Sequence, residues 1–214
     1  RELVKCKIHE EKDEYNRSCL KVIENYISKF LAGGRNSNLW NGHTSFSPKE
    51  QFLSFNFQRL LANKNDTTAN AQMLLILKWV ENEVMKNRDR NIRSGKKRRI
   101  VVAIDEAHLF IDDKYPIALD FMYQLAKRIR KYDGMLIIIT QNVKDFTISP
   151  ETIRKSSAII NVSQYSMIFS LSPNDMTELC TLYQNAGCIN ESEKDVIIHN
   201  PRGRVFLVSS PSKR

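Results

Sequence analysis

The chain has 214 residues, which is enough for a domain with a sizeable hydrophobic core. Hydrophobic residues make up 42% and charged residues 27%, as in an ordinary globular protein, and the longest apolar runs are far too short to span a bilayer. The net charge of +9 suits contact with nucleic acid or an anionic membrane surface. No pair of cysteines has C-x-x-C spacing, so we expect a reducing cytoplasm and no structural zinc.

The first half of the chain predicts helices separated by polar segments. Apolar residues recur at helical spacing over residues 14–31, and two glycines then end that helix. Alternating aromatic and polar residues at 52–57 predict a strand. A further helix is expected from Asp66 to about Asn87.

A strongly basic segment, 86–99, follows that helix. It runs from Lys86 to Arg99 and carries eight cations against one acid. We expect it to be a loop that leads into the next strand. It either contacts DNA or is simply a solvated connection.

The second half of the chain alternates strands and helices. Continuous apolar runs at 100–104 and 135–140 predict strands of a parallel sheet that is buried on both faces. A helix that begins at Pro116 lies between them. Further strands are expected at 158–162, 167–171 and 205–208, and a short helix at 175–183. The alternation predicts an α/β fold with its site at the carboxyl ends of the parallel strands.

Two carboxylates, Asp105 and Glu106, directly follow the first of these apolar strands, in the pattern of a Walker B element. Mg²⁺ is a hard cation that keeps much of its water shell, so we assign Asp105 to the magnesium shell. Phosphoryl transfer to water needs a group that activates the water, and we assign that role to Glu106. The alternative is a strand that ends in acids because it meets solvent there.

Four other polar residues are candidates for contact with a nucleotide. Gln141 ends the next apolar strand and can contact the γ-phosphate or the attacking water. Arg130 precedes that strand and suits a developing phosphoryl charge, although a basic helix end also explains it. Arg202 and Arg204 flank Gly203, where they are either nucleotide sensors or parts of a plain turn.

The phosphate-binding motif G-x-x-x-x-G-K-[ST] does not occur in the sequence. Its backbone amides and lysine are what hold the phosphates in a P-loop ATPase. We therefore expect the chain by itself to bind ATP poorly or not at all.

The order of these elements resembles the C-terminal ATPase domain of the large conjugation ATPases of type IV secretion systems, in the HerA–FtsK group of RecA-like motors. The most specific likeness is the basic turn at 127–132 followed by Thr140 and Gln141. Residues 39–44 are similar to the family's F-x-G-x-T segment, and residues 203–207 to its closing strand. At Asn56 the family commonly has aspartate, which argues against a metal role for that position.

The resemblance implies a RecA-like P-loop NTPase fold of three layers, with a mostly parallel sheet flanked by helices, incomplete in this chain. Residues 1–31 would be the end of a helical insertion subdomain. Residues 32–214 would be the C-terminal part of the ATPase domain, from Walker B onward but without Walker A. The chain is thus expected to be a fragment of a longer enzyme that uses ATP and Mg²⁺.

The resemblance also implies a function. Hydrolysis of ATP by the full-length protein would drive pilus assembly or substrate transfer in a conjugative system, peripherally at the cytoplasmic face of the cell membrane. Its expected partners are further copies in a hexamer, other secretion-system components, a coupling ATPase, and DNA through segment 86–99. The alternatives are a DNA translocase or coupling protein of the same superfamily and a non-catalytic DNA-binding or assembly module.

Overall fold

The structure, a computed structural model, describes residues 2–34, 36–37, 48, 50–62, 66–111, 116–184 and 187–209. The chain divides into two compact units, Arg1–Arg59 and Leu60–Arg214. The boundary predicted after residue 31 stays a prediction, and segment 39–44 lies outside the described residues. None of the described helices combines the length and the apolar character that crossing a membrane requires.

The first unit contains the helices α1 (Glu2–Glu10) and α2 (Glu14–Ser28). The helix predicted from the apolar spacing is thereby confirmed, and it begins where Asp13 accepts a hydrogen bond from the amide of Asn16 at 2.9 Å. The strand predicted at 52–57 is wrong. This segment has no regular secondary structure. A short helix, α3 (Gln58–Ala62), follows it.

The second unit alternates helices and strands, which confirms the predicted α/β class. In chain order its elements are α4 (Asp66–Ser94), β1 (Ile100–Ile104), α5 (Pro116–Arg128), β2 (Gly134–Ile138), α6 (Pro150–Val162), β3 (Tyr165–Ile168), α7 (Pro173–Tyr183), α8 (Glu191–Ile198) and β4 (Phe206–Ser209). Short 3₁₀ turns lie at Ala107–Phe110, Ile129–Tyr132 and Lys144–Thr147.

The strands form two pairs. β1 and β2 run parallel, with Ile100 opposite Gly134 and Ile104 opposite Ile138, so the predicted parallel arrangement is confirmed. β3 and β4 run antiparallel. Both lie within two residues of the strands predicted at 167–171 and 205–208, apart from the carboxyl end of β3, which is three residues earlier.

Only one face of the β1–β2 pair is packed. Val102 and Leu136 are half-buried, whereas Val101 is 54% exposed and Met135 is 51% exposed on the other face. The prediction of burial on both faces is therefore wrong. A parallel sheet is buried on both sides where helices cover both, and the described part of the chain covers only one.

The core of the second unit centres on α5. Its buried side chains recur at helical spacing, so they form one continuous apolar side. They are Ala118, Leu119, Phe121, Met122, Leu125 and Ala126. α5 packs against α4 and α6.

The basic segment 86–99 is mostly helical and not the predicted loop. α4 continues to Ser94, and only residues 95–99 connect it to β1. Lysine and arginine are good helix formers, and cations are favoured at the carboxyl end of a helix by its dipole. The charge run therefore extends α4 by about two turns beyond Asn87.

The strand predicted at 158–162 is also wrong, because these residues lie in α6. Ser149 caps this helix by accepting a hydrogen bond from the amide of Thr152 at 3.2 Å, and Pro150 occupies its first turn. α8 was not predicted at all. Its sequence signal is a capping box, in which Asn190 and Glu193 bond each other's backbone amides at 2.8 Å.

Candidate active site

Asp105 and Glu106 lie directly after β1, and Gln141 lies three residues after β2. Because the two strands are parallel and in register, these three residues come to the same edge of the pair, which is called the acidic edge below. Backbone bonds of 2.9 Å from Ile139 to Ile104 and from Ala107 to Ile139 extend the pairing beyond the strands. Hydrogen bonds therefore hold the backbone on both sides of Asp105 and Glu106 against the residue two positions before Gln141.

The turn after β1 is tight. Glu106 has a φ of 49° and a ψ of 47°, a left-handed conformation that is uncommon for a residue with a side chain. Its cost is about 1 kcal/mol. The amide of Glu106 donates to Oδ1 of Asp105 at 2.9 Å, which stabilises this turn.

The carboxylate of Glu106 lies between two other side chains. Its Oε1 accepts a hydrogen bond from Nε2 of Gln141 at 2.5 Å, and its Oε2 lies 3.2 Å from Nδ1 of His108. Those last two atoms are buried, and neither makes a well-aligned hydrogen bond to a described residue. Oε2 therefore retains unused hydrogen-bonding capacity.

His108 is the member of this group to which the sequence analysis gave no role. The available signal was the string from Asp105 to His108 in the turn after a buried strand. The 3₁₀ turn Ala107–Phe110 folds the chain back, and this brings the ring to the carboxylate two residues earlier. A local turn of this kind is not visible in apolar periodicity.

The acidic residues fit a magnesium ion that a nucleotide carries. No described group of three or more His, Cys, Asp or Glu side chains is placed to enclose a metal. Asp105 is exposed, and only its Oδ1 is engaged, by the amide of Glu106, among the described residues. Mg²⁺ usually keeps several waters and takes one or two carboxylates together with phosphate oxygens. This sparse set of protein ligands suits that arrangement.

The predicted arginines do not join this group. Arg130 lies in the turn before β2, so the five residues of that strand, about 16 Å, separate it from the acidic edge. Arg202 and Arg204 are exposed around a turn in which the amide of Arg204 donates to Pro201 at 3.0 Å. Gly203 has a φ of 86°, which suits the third position of a type II turn. No described contact links either arginine to Glu106.

Known proteins resemble the chain over most of its length. A model of the TraG P-loop domain family matches residues 70–199, which is more than half of the chain. The solved structure of VirB4 of Thermoanaerobacter pseudethanolicus is similar to the chain, with 29% sequence identity and a TM-score of 0.67. The likeness covers 98% of this chain and 50% of that one, so the chain spans half the length of the VirB4 structure. A search of curated protein sequences gave no match.

These likenesses confirm the RecA-like fold expected from the sequence. The match at 70–199 includes β1, β2 and the residues of the acidic edge at their carboxyl ends. The roles assigned to individual residues rest on their chemistry and geometry.

Proposed function

Because the chain belongs to the TraG P-loop domain family, we propose that it forms the hydrolytic half of an ATP-driven motor of a conjugative type IV secretion system. Hydrolysis by the full-length protein then drives pilus assembly or substrate transfer. The observation that carries the proposal is the contact between Glu106 and Gln141, which places a base and a neutral amide side by side at the ends of parallel strands. The sequence contains no phosphate-binding loop motif, so residues outside this chain would hold the phosphates.

Each side chain at the acidic edge has a distinct role in this proposal. Asp105 holds a water of the magnesium shell. Glu106 accepts a proton from the attacking water, and Gln141 keeps the carboxylate oriented and relays its state to β2. The Mg²⁺ supplies charge neutralisation at the phosphates.

The arginines act from other positions. Arg130 is exposed and lies at the far end of β2, so it reaches a phosphate in a neighbouring subunit and not in its own. Its fixed charge and forked donors suit that task. Arg202 and Arg204 likewise bind a nucleotide that is held by a neighbouring subunit. This arrangement requires self-association, which in the family's motors takes the form of a hexamer.

The same family membership supports a proposal for the wider setting. The full-length protein works peripherally at the cytoplasmic face of the cell membrane, with other secretion-system components and a coupling ATPase. A DNA translocase or coupling protein of the superfamily is the second candidate, and turnover stimulated directly by DNA would favour it. A non-catalytic DNA-binding or assembly module is the third.

The test measures ATP hydrolysis by this chain beside a form extended at its amino terminus until it includes a phosphate-binding loop. Only the extended form is expected to turn over. In that form, Glu106→Gln should bind ATP and lose turnover at every Mg²⁺ concentration. Asp105→Asn should instead raise the Mg²⁺ concentration needed for half-maximal turnover, because it weakens the magnesium shell alone.

Two results would count against the motor. Retained turnover in Glu106→Gln would mean that another residue activates the water. Failure of both forms to hydrolyse ATP, with no phosphate-binding loop upstream, would leave the non-catalytic module as the better description.

A further inference from the structure

A second concave site lies at the opposite end of the β1–β2 pair from the acidic edge. It is an open cleft of about 750 Å³ between the end of α4, the connection into β1 and the turn before β2. Four cationic side chains line it: Arg88, Lys96, Lys97 and Lys131. Asp133 is the only acid in that lining.

The single acid of the cleft is already engaged. Asp133 Oδ2 accepts a hydrogen bond from Nδ2 of Asn91 at 3.0 Å, and its Oδ1 lies 3.9 Å from Nζ of Lys97. No described carboxylate lies within ion-pair distance of Arg88, Lys96 or Lys131. The cleft therefore carries an uncompensated positive charge.

The neighbouring cations on α4 are different, because they are neutralised locally. Nζ of Lys86 lies 3.3 Å from Oε1 of Glu83, and Nη1 of Arg90 lies 2.9 Å from Oε2 of the same residue. These two members of the basic segment are thus occupied. Of the six other cations of segment 86–99, three line the cleft, and Lys131 joins them from a distant part of the sequence.

The walls of the cleft are held together by polar contacts of two asparagines. Asn91 exchanges hydrogen bonds with the backbone of Arg98, at 2.8 Å as donor and 3.0 Å as acceptor. The amide of Asn87 donates to the carbonyl oxygens of Arg98 and Tyr132, at 3.0 Å each. The backbone that carries the cations of the two walls is therefore held together before a ligand binds, which lowers the cost of ordering this site.

We propose that this cleft binds the phosphodiester backbone of nucleic acid. Lysine and arginine side chains that converge on a groove are the usual electrostatic footprint for a line of phosphates. An anionic membrane is a poorer fit, because membrane-binding surfaces combine basic residues with apolar side chains that insert, and Ile92 is the one large apolar residue of this lining. The site goes beyond the proposed hydrolysis, since it contains none of the residues at the acidic edge.

The test measures binding of this chain, without ATP, to a short labelled DNA duplex, to one of its single strands and to vesicles of phosphatidylcholine with and without phosphatidylserine. The logarithm of the binding constant for DNA should fall linearly as the logarithm of the salt concentration rises. Lys96→Ala/Lys131→Ala should reduce that slope by about 2, or about 1 for each lysine, equally for unrelated sequences. Lys96→Arg/Lys131→Arg, which keeps both charges, should bind like the parent chain.

The matched control is Lys12→Ala/Lys21→Ala, which removes two exposed lysines from the first unit. It should leave the salt slope unchanged. Stronger binding to the duplex or to the single strand identifies which form the cleft fits. The proposal is overturned if neither is bound, if both alanine pairs weaken binding equally, or if only anionic vesicles are bound. None of these readouts depends on ATP, so the outcome for Glu106→Gln is independent.

Discussion

The carboxylate of Glu106 accepts a hydrogen bond from the side-chain amide of Gln141, a residue 35 positions later, with 2.5 Å between Oε1 and Nε2. The two residues reach each other because each follows a strand of the same parallel pair. A hydrogen bond to a carboxylate fixes the direction of its remaining lone pairs. The amide therefore determines where Glu106 can receive a proton.

Gln141→Ala should lower kcat by about 10- to 100-fold in the form of the protein that hydrolyses ATP, because an unoriented base loses part of a general-base contribution of that order. KM for ATP should change by less than about twofold, because Gln141 contacts the base and not a phosphate-holding group. Steady-state kinetics check both values. Gln141→Asn should behave similarly because its amide falls one methylene short. Gln124→Ala, an exposed glutamine on α5, is the control; a rise in KM alone would contradict the assignment.

Asn87→Ala should destabilise the chain by about 2 kcal/mol, since it leaves two part-buried carbonyl groups without their donor. Asn87 is 0% exposed, and it bonds Arg98 and Tyr132, which lead into β1 and β2. Urea denaturation measures the change as a lower midpoint at constant slope. Asn82→Ala makes the same chemical change at an exposed position of the same helix and should lie within about 0.5 kcal/mol of the parent chain. Equal effects of the two substitutions would refute a special role for Asn87.

Gly134→Ala should destabilise the chain by about 1–3 kcal/mol through overpacking. A Cβ at this position would lie 2.5 Å from Cγ1 of Ile129, a buried side chain close to its own backbone. Thermal unfolding should show the loss as a lower midpoint. Gly203→Ala is the contrast, because its Cβ would meet no atom and its cost comes only from a positive φ. If Gly134→Ala unfolds like the parent chain, the Ile129 side chain has moved aside without cost.

Lys155 is 7% exposed and pairs with the exposed carboxylates of Asp120 at 2.6 Å and Glu151 at 2.7 Å. Asp120→Asn/Glu151→Gln leaves a buried ammonium group without charged partners and should cost about 1–3 kcal/mol at neutral pH. Lys155→Met, which removes the charge but keeps the packing, should cost less than about 1 kcal/mol. The urea midpoints of the parent chain and the two variants rank their stabilities. A larger loss of stability in Lys155→Met than in the double variant would contradict this account.

The loss of unfolding free energy in Asp120→Asn/Glu151→Gln should depend on pH. Burial lowers the pKa of Lys155, but the hydrogen bonds and charges of Asp120 and Glu151 outweigh it and raise the pKa above the ordinary 10.5. A raised pKa in the folded state means that the stabilisation is complete below the unfolded value and is lost as pH rises through the folded one. The difference between parent and double variant should therefore be constant from about pH 7 to about pH 9 and shrink above about pH 10.5. A difference that is flat across that range would show that charge does not matter here.

Local signals in the sequence were more reliable than long-range ones. The apolar run before Asp105 predicted β1 because the apolar residues of the strand and the acids at its end are consecutive in the sequence. The segments at 52–57 and 158–162 carried equally plausible strand patterns, yet a strand also requires a partner from elsewhere, and helix caps such as Ser149 decide the outcome locally. The placement of Lys131 beside the end of α4 depends on the packing of α4 against the turn before β2, which no local pattern reveals.

The site residues divide along the same line. Glu106 and Gln141 could be paired from the sequence, because parallel strands bring their carboxyl ends together. The distance of Arg130 from that edge could also have been inferred, since it precedes the strand that Gln141 follows. The contact with His108 could not, because it depends on the left-handed backbone of Glu106 itself and on the 3₁₀ turn that follows it.

The β1–β2 pair carries basic side chains before its strands and acidic side chains after them. This strand pair is therefore electrically polar along the strand direction. In solution, a polyanion attracts the basic end of the pair and repels the acidic end. It therefore turns the basic end toward itself before any contact is made. Encounters would begin with the acidic edge facing away, open to solvent and to small solutes, so a long charged polymer and a nucleotide would approach from opposite sides without competing.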